Sequence, residues 1–231
     1  MIAHPRPDVT SGGWTMGELV LVRHGQANSA ADDEENYDRL SDLGHQQARW
    51  LGDWLREHEA PFDQVVMGSL RRHRETAEGM GDVGAAPSVD ARLNEMDYFN
   101  LAKAHAARTD QPRPTPETFV HHIKDVMEAW HRADIRGNET YADFETRVAQ
   151  MLDLAAVPGK RVLCVTSGGV IGMIARHLLD LDPARMAYLL VPIKNSSIHR
   201  VTVVAEARIL SAFNAIPHLR GPDRVHAITE Y

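Results

Sequence analysis

The stretch of sequence that decides the fold is Glu18-Leu19-Val20-Leu21-Val22-Arg23-His24-Gly25-Gln26. Its four consecutive apolar residues, Leu19 to Val22, predict a strand that is buried on both faces. The apolar run ends at once in a cation, an imidazole and a glycine. Open α/β sheets place their sites at the carboxyl ends of parallel strands, and this strand ends in reactive groups. We therefore expect His24 to be a nucleophile and Arg23 to hold the anion that it attacks.

The same order of strand, turn and helix occurs twice more along the chain. Residues 64–67 lead through a Gly-Ser-Leu turn into a helix that carries Arg72. Residues 161–165 lead through Ser167 and two glycines into another helix. This alternation of strands and helices predicts an α/β domain.

The remaining segments differ in how clearly they predict structure. Ser41 is a typical N-cap for a helix, whereas the acidic run at residues 30–35 has no apolar period and is interpreted as a solvated loop. Residues 81–114 are broken by glycine and proline, so the part at 93–97 is expected to be irregular and near the site. Three further elements have a clear apolar period: helices within residues 119–130 and 141–152, and a hairpin formed by residues 197–204 and 207–213.

Length and charge limit the classes of function. At 231 residues the chain is long enough for one α/β domain, which we place at residues 18–231 with a helical insertion at about 96–140. The formal net charge of -7 and the pI near 6.0 argue against nucleic acid or anionic membranes as partners. An anionic substrate would then need a local cluster of arginines. Residues 1–17 lack the apolar core of a signal peptide, so we expect a flexible tail on a cytoplasmic protein.

Three other kinds of chemistry are weighed and set aside. The single cysteine, Cys164, lies in an apolar run and is expected to be a small core residue. Among the thirteen histidines, His121 and His122 are adjacent and diverge on a helix, so no metal site is expected. Ser167 as the nucleophile of a hydrolase turn would need glycine two residues earlier, where Val165 stands.

A phosphoryl-transfer site is consistent with the residues that remain. A histidine that attacks phosphorus must be neutral, held in one orientation and close to cations. Arg23 adjoins His24, and Arg72 starts another helix; the planar fork of an arginine can pair with two phosphate oxygens. Gly25 removes a side chain where a substrate must approach the backbone. Taken alone, His24 could equally be a buried structural histidine.

The motifs together resemble the histidine phosphatase superfamily, also called the phosphoglycerate mutase-like family. The resemblance covers residues 18–219, and its motifs occur in the family's order: Arg23-His24-Gly25-Gln26-Ala27, Leu40-Ser41-Asp42-Leu43-Gly44-His45-Gln46-Gln47-Ala48, Leu70-Arg71-Arg72-His73-Arg74-Glu75-Thr76-Ala77, Leu93-Asn94-Glu95, Ser167-Gly168-Gly169-Val170-Ile171 and Asn195-Ser196-Ser197-Ile198. The resemblance implies a three-layer α/β/α sandwich with a mostly parallel sheet. It also implies phosphoryl transfer through a phosphohistidine, without a metal or another cofactor.

Carried over by position, the resemblance implies a role for each site residue. His24 is the nucleophile, Arg23 and Arg72 clamp the phosphate, and Glu95 is the general acid, with Asp97 as an alternative. Gln26 is expected to orient the substrate or to line the pocket. Arg71 and Arg74, on the same helical turn as Arg72, are expected to face water.

Two positions depart from the family pattern. Most members have a second histidine where this chain has Ser167, whose hydroxyl offers one neutral donor. Together with the amides of Gly168 and Gly169 at a helix N-terminus, Ser167 can still form an anion site. The mutases usually have an asparagine where this chain has Ala30, so a phosphatase is favoured over a phosphoglycerate mutase.

Two functions follow from this sequence. The first is a metal-independent phosphatase for phosphomonoesters carried by small molecules or proteins, with Ser167, Gly168, Gly25 and Gln26 contacting the substrate. The second is a protein of the same fold that binds a phosphoanion and has lost turnover, as the serine at 167 allows. The sequence does not identify the substrate.

Overall fold

The apolar run at residues 19–22 lies in the middle of a mixed sheet. The computed structural model describes residues 16–28, 30–31, 33–110, 114–155 and 157–230. Across these residues the strands are β1 (Gly17–Arg23), β2 (Gln64–Met67), β3 (Ser88–Val89), β4 (Arg161–Thr166), β5 (Ile198–Val204) and β6 (Ala207–Ala215). Their order in the sheet is β3-β2-β4-β1-β5-β6. β1 through β4 are parallel to one another, and the predicted hairpin of β5 and β6 adds two antiparallel strands at one edge.

The burial of β1 on both faces is confirmed. Leu19 and Leu21 belong to one apolar cluster, and Val20 and Val22 belong to the cluster on the opposite face of the sheet. β4 repeats this pattern, and its Cys164 is buried in the first cluster as predicted. Alternate side chains of a strand point to opposite faces, so two apolar clusters require a cover of helices on each side.

Helices provide that cover on both faces. The helices are α1 (Glu34–Tyr37), α2 (Asp42–His58), α3 (Arg71–Met80), α4 (Tyr98–Thr109), α5 (Phe119–His131), α6 (Tyr141–Ala149), α7 (Gly168–Leu179) and α8 (Pro183–Leu190). Apolar side chains of α2 and α3 pack on the face of Val20, and those of α5 to α8 pack on the face of Leu19. The predicted three-layer α/β/α architecture is therefore confirmed. The Ser41 hydroxyl caps α2 by accepting the Gly44 amide at 3.0 Å, as expected.

Two segments differ from the sequence-based prediction. The acidic run ends inside the single turn α1, and the punctuated region contains the twelve-residue helix α4. The apolar period of α4 is hidden because its buried positions include His105 beside Leu101, while the side that lines the cavity mixes alanines with the charged Lys103. Leu101 and Ile123 belong to the same apolar cluster as Leu19. The domain boundaries, with an insertion at about 96–140, stay a prediction.

The tail prediction falls mainly on residues 1–15, which lie outside the described residues, and Gly17 is already the first residue of β1. No helix in the described ranges combines the length and the apolar character needed to cross a membrane.

Candidate active site

The candidate site residues gather at the carboxyl edge of the parallel strands. Arg23 ends β1, His24 follows it, and the His24 amide donates to the carbonyl of Thr166, the last residue of β4, at 2.9 Å. Ser167 follows directly after β4, so its backbone lies next to that of His24. The start of α3 brings Arg72 to the same edge, so residues far apart in the chain meet at one place.

The His24 ring is oriented by its own backbone neighbour. Its Nδ1 lies 2.7 Å from the carbonyl oxygen of Gly25. A carbonyl can only accept, so we assign the proton to Nδ1, which leaves the Nε2 lone pair available. Burial, followed by the charges of Arg72 and Arg23, holds the pKa of His24 well below its usual range. His24 is therefore a neutral, oriented imidazole, as a nucleophile requires.

Two buried guanidinium groups flank this imidazole. Arg23 donates through Nη1 to the carbonyls of Ile193 and Glu230, and its Nε is buried without a partner among the described residues. Arg72 is fully buried, and its Nε likewise has no partner in the described ranges. Buried N–H donors are seldom left unpaired, so both arginines have unused capacity for an acceptor.

The acidic run supplies the counter-charges of Arg72. Its Nη1 donates to Glu34 at 2.5 Å and to Asp38 at 3.1 Å, and its guanidinium lies 5.0 Å from the centre of the Tyr37 ring. Burial raises the pKa of Glu34, and the neighbouring charge of Arg72 acts in the opposite direction. The interpretation of residues 30–35 as a solvated loop is therefore wrong for Glu34, which together with Asp38, just beyond that run, holds a buried cation.

The two candidate general acids occupy different places. Glu95 lines the cavity, where its two carboxyl oxygens accept the amides of Gly169 at 3.0 Å and Met96 at 2.9 Å. A Cβ on residue 169 would lie 2.0 Å from Glu95 Oε1, so only glycine permits this contact. Asp97 instead accepts the amide of Asn138 at 2.9 Å and does not line the cavity.

The predicted substrate contacts divide into two groups. Gly168 lines the cavity next to the Arg23 guanidinium. By contrast, a Cβ on Gly25 would lie 2.4 Å from the Gly44 carbonyl oxygen, so close packing against α2 accounts for this glycine. Gln26 accepts the Ser41 hydroxyl at 2.8 Å and also packs at the start of α2. Exposed side chains at Arg71 and Arg74 agree with the expectation that both face water.

One residue at the site was missed by sequence reasoning. His73, next to Arg72, is fully buried, and its Nε2 lies 2.7 Å from the Ser167 hydroxyl. The centres of the His73 and His24 rings are 5.8 Å apart. The signal was helical spacing, because His73 lies three and four residues before the inward-facing Thr76 and Ala77.

A cavity of about 570 Å³ adjoins this edge of the sheet, and its lining includes neither His24 nor Ser167, which are buried behind it. Its polar end contains Arg23, Arg72, Glu95 and Gly168. Most of the remaining wall is apolar and comes from α1, the segment before α4, α4, α5 and the end of α8: Tyr37, Met96, Phe99, Ala102, Phe119, Ile123 and Leu190. Within the described ranges, no three His, Cys, Asp or Glu side chains are arranged to hold a metal ion.

Fold and site together define a class of α/β protein in which a neutral histidine lies between two buried arginines at the carboxyl edge of a sheet. The pattern of the histidine phosphatase superfamily (branch 1) matches residues 19–216, and the chain belongs to this superfamily.

Relatives and solved structures agree with this membership. The chain is 27% identical over 193 residues to the mitochondrial serine/threonine-protein phosphatase Pgam5 of Drosophila grimshawi, covering 83% of this chain and 60% of the relative. It is 30% identical over 168 residues to a 2,3-bisphosphoglycerate-dependent phosphoglycerate mutase of Methylorubrum populi, covering 65% of this chain and 73% of the relative. The chain thus spans 60% of the length of that Pgam5 protein.

Two structures share the fold. A phosphoserine phosphatase from Entamoeba histolytica, in complex with phosphoserine, has a TM-score of 0.64 and 21% identity, covering 87% of this chain and 98% of its own. A mycobacterial glucosyl-3-phosphoglycerate phosphatase has a TM-score of 0.61 and 24% identity, covering 87% and 100%.

Proposed function

We propose that this chain is a metal-independent phosphatase that hydrolyses phosphomonoesters through a phosphohistidine on His24. The observation that carries the proposal is the pair of buried Nε–H groups on Arg23 and Arg72, both without partners in the described ranges, beside a neutral imidazole. A phosphoryl group supplies the acceptor oxygens that these donors lack. The phosphatases and mutases among the relatives support phosphoryl chemistry of this kind.

The reaction would proceed in two displacements. The Nε2 lone pair of His24 forms the N–P bond as the ester P–O bond breaks, and Glu95 gives its proton to the leaving alcohol. Water then attacks phosphorus and returns a proton to Glu95, and the N–P bond breaks to release phosphate and neutral His24. Arg23 and Arg72 neutralise the phosphoryl oxygens in both steps. The Gly25 carbonyl holds Nδ1–H throughout.

The apolar wall of the cavity indicates which phosphate esters would be good substrates. Because most of its wall is apolar, the esterified group of a good substrate would be an apolar or aromatic body extending between α4 and α5. A small phosphomonoester or a phosphorylated apolar protein segment meets this requirement. The compartment stays open to test: we predicted the cytoplasm, whereas the Pgam5 relatives are named as mitochondrial.

The second candidate function is binding of a phosphoanion without turnover. The serine at position 167 favours it, because one neutral hydroxyl stabilises a transferring phosphoryl group less than an imidazole does. Binding of phosphate together with the absence of alcohol release would support this alternative.

Hydrolysis of p-nitrophenyl phosphate in the presence of a chelator tests the main proposal. We expect turnover that His24→Ala abolishes and that His58→Ala, a substitution of a half-exposed histidine at the end of α2, leaves unchanged. Rapid acid-free quenching with labelled substrate should trap label on His24. Turnover that is unchanged in His24→Ala would overturn the proposal.

A further inference from the structure

The hydroxyl of Ser167 is not used in the way its position suggests. Ser167 is the N-cap of α7, but its side chain does not cap the helix, whereas Ser41 and Asp182 cap theirs. Instead its Oγ lies 2.7 Å from His73 Nε2, and both side chains are fully buried. The Ser167 hydroxyl therefore does not serve as a helix cap, and its hydrogen bond is made to His73 instead.

The proton positions follow from the surroundings of His73. Burial, followed by the charge of Arg72, holds the pKa of His73 well below its usual range, so the ring carries one proton. Its Nδ1 is buried without a partner among the described residues. An unpaired buried N–H is costlier than an unpaired lone pair, so we assign the proton to Nε2, which donates to Ser167 Oγ. The Ser167 proton is then left for another acceptor, and no described protein group accepts it.

A bound group next to His24 could accept the hydrogen bond from the Ser167 hydroxyl. The carbonyl of Thr166, the residue before Ser167, accepts the His24 amide at 2.9 Å. His24 follows β1 and Ser167 follows β4, so the two residues lie side by side just beyond the ends of two paired strands. Paired strands lie about 5 Å apart, which is the spacing at which two side chains can contact one phosphoryl group. The centre of the His73 ring lies 5.8 Å from that of His24.

The chain makes room for this arrangement at Gly68. A Cβ on residue 68 would lie 2.1 Å from His73 Nδ1, so the glycine that follows β2 leaves space for the imidazole. The His73 ring lies against the Ser167 side chain, so a second imidazole at position 167 would collide with it. Gly68, His73 and Ser167 therefore fit together: the small residues at positions 68 and 167 leave the space that the imidazole of His73 fills.

We propose that His73 is a positioning residue that supplies from α3 the imidazole which the family pattern places at position 167, and that it orients the Ser167 hydroxyl to donate to the transferred phosphoryl group. This inference rests on the proposed phosphatase function. Donation from His73 polarises the hydroxyl, so the pair provides a stronger donor than serine alone. Turnover then survives the exchange of histidine for serine.

The first test removes each partner and then restores the donor. We expect Ser167→Ala and His73→Leu each to lower kcat about tenfold or more, and their combination to be no worse than either alone, since the two act as a unit. His73→Gln, whose amide can donate to Ser167 Oγ, should recover most of kcat with KM little changed. Arg74→Ala, exposed on the same helix, is the control. Purely structural roles would instead give additive losses with no rescue by glutamine.

The second test moves the imidazole back. Ser167→His alone should lose activity through collision with His73, and His73→Ala combined with Ser167→His should exceed that single variant about tenfold. Equal activity of Ser167→His and of the double variant would contradict the proposal that His73 occupies the place of the imidazole at position 167.

Failure of the inference and failure of the proposed function are separable. If wild type shows His24-dependent turnover and the Ser167 and His73 variants stay within twofold of it, the inference falls and the phosphatase stands. If wild type shows no turnover, the phosphatase proposal falls, and calorimetric binding of inorganic phosphate decides the inference. Ser167→Ala and His73→Leu should then weaken binding about fivefold or more, with His73→Gln restoring it, and unchanged affinity would overturn the inference. Ser167→Ala removes one oxygen atom, so it keeps the test valid should His73→Leu fail to fold.

Discussion

At the scale of single residues, the site is governed by how buried charges are balanced. Arg72 is fully buried, and carboxylates of Glu34 and Asp38 accept from one of its nitrogens while Nε has no partner in the described ranges. A buried cation needs such counter-charges, because an unpaired charge is costly in a protein interior. Glu34 also lines the cavity, so its charge opposes any anion that enters.

Glu34→Gln should therefore tighten the binding of inorganic phosphate. Glu34 is about two-fifths exposed, so solvent screens its charge, and a repulsion of about 1 kcal/mol corresponds to about fivefold in affinity. Asp38 remains to balance Arg72 in this variant. Isothermal titration with phosphate measures the change, and Glu35→Gln, exposed on the same turn, should show no comparable effect. Weaker binding in Glu34→Gln would mean that holding Arg72 in place matters more than the repulsion.

At the scale of elements, α4 and α5 form the part of the cavity that lies beyond its polar end at Arg23, Arg72 and Glu95. Their contributions include Phe99 and Ala102 from α4 and Phe119 and Ile123 from α5. These four side chains carry no formal charge, and Lys103 of α4 and His122 of α5 line the cavity beside them. We therefore expect this wall to select chiefly by apolar contact and size. The polar end of the cavity and its apolar wall thus come from different elements, and each can be altered separately.

Ala102→Gln should reduce turnover of phosphate esters with long apolar groups and leave short ones unaffected. The added amide projects into the apolar wall, where it displaces apolar contacts and must be desolvated. We expect kcat/KM for hexyl or naphthyl phosphate to fall about tenfold, and that for methyl phosphate to change less than twofold. The matched control is Ala107→Gln, which makes the same substitution at an exposed position of α4. Equal losses for short and long esters would show that the wall does not select the leaving group.

At the scale of the whole molecule, stability is coupled to pH through buried neutral histidines. Burial, mainly, lowers the pKa of His199 and of His218 to about 3, and it holds those of His24 and His73 well below their usual range. The unfolded chain binds a proton on each of these near pH 6.5, whereas the folded chain does not. The unfolded state thus binds more protons below that pH, so the free energy of unfolding falls as the pH is lowered.

Urea denaturation at pH 7.5 and pH 5.5 should show that the free energy of unfolding falls between these two values. This range is chosen because most carboxylates stay ionised in it, so the change comes mainly from the histidines. Each buried histidine that stays neutral accounts for about 1.4 kcal/mol over these two pH units. His218→Gln, which can keep the contact to Ser196, should reduce the loss by about that amount. His58→Gln, at a half-exposed position, shows whether the effect requires burial. An unchanged pH dependence in His218→Gln would contradict the assignment.

Local patterns in the sequence were sufficient for the strands, most helices and the motif order. Apolar runs such as residues 19–22 identify strands buried on both faces, because burial requires apolar side chains whatever the partner. Family motifs pointed to His24, Arg72 and Glu95, and all three lie at the carboxyl edge of the sheet or line the cavity. The helix α4 was missed because its buried and cavity-facing positions do not share one apolar stripe.

By itself, the sequence determined the α/β layers and the residue types of the stretch from Leu19 to Gln26, since both depend on local period and order. Only the tertiary structure decided what surrounds that stretch: Glu34 on Arg72, Gly44 against Gly25, and His73 on Ser167. These pairs are separated by 19 to 94 positions in the chain, and their contacts arise only when the sheet brings strand ends together. The serine that appeared as a loss in the sequence is, in three dimensions, one half of a pair with an imidazole from another helix.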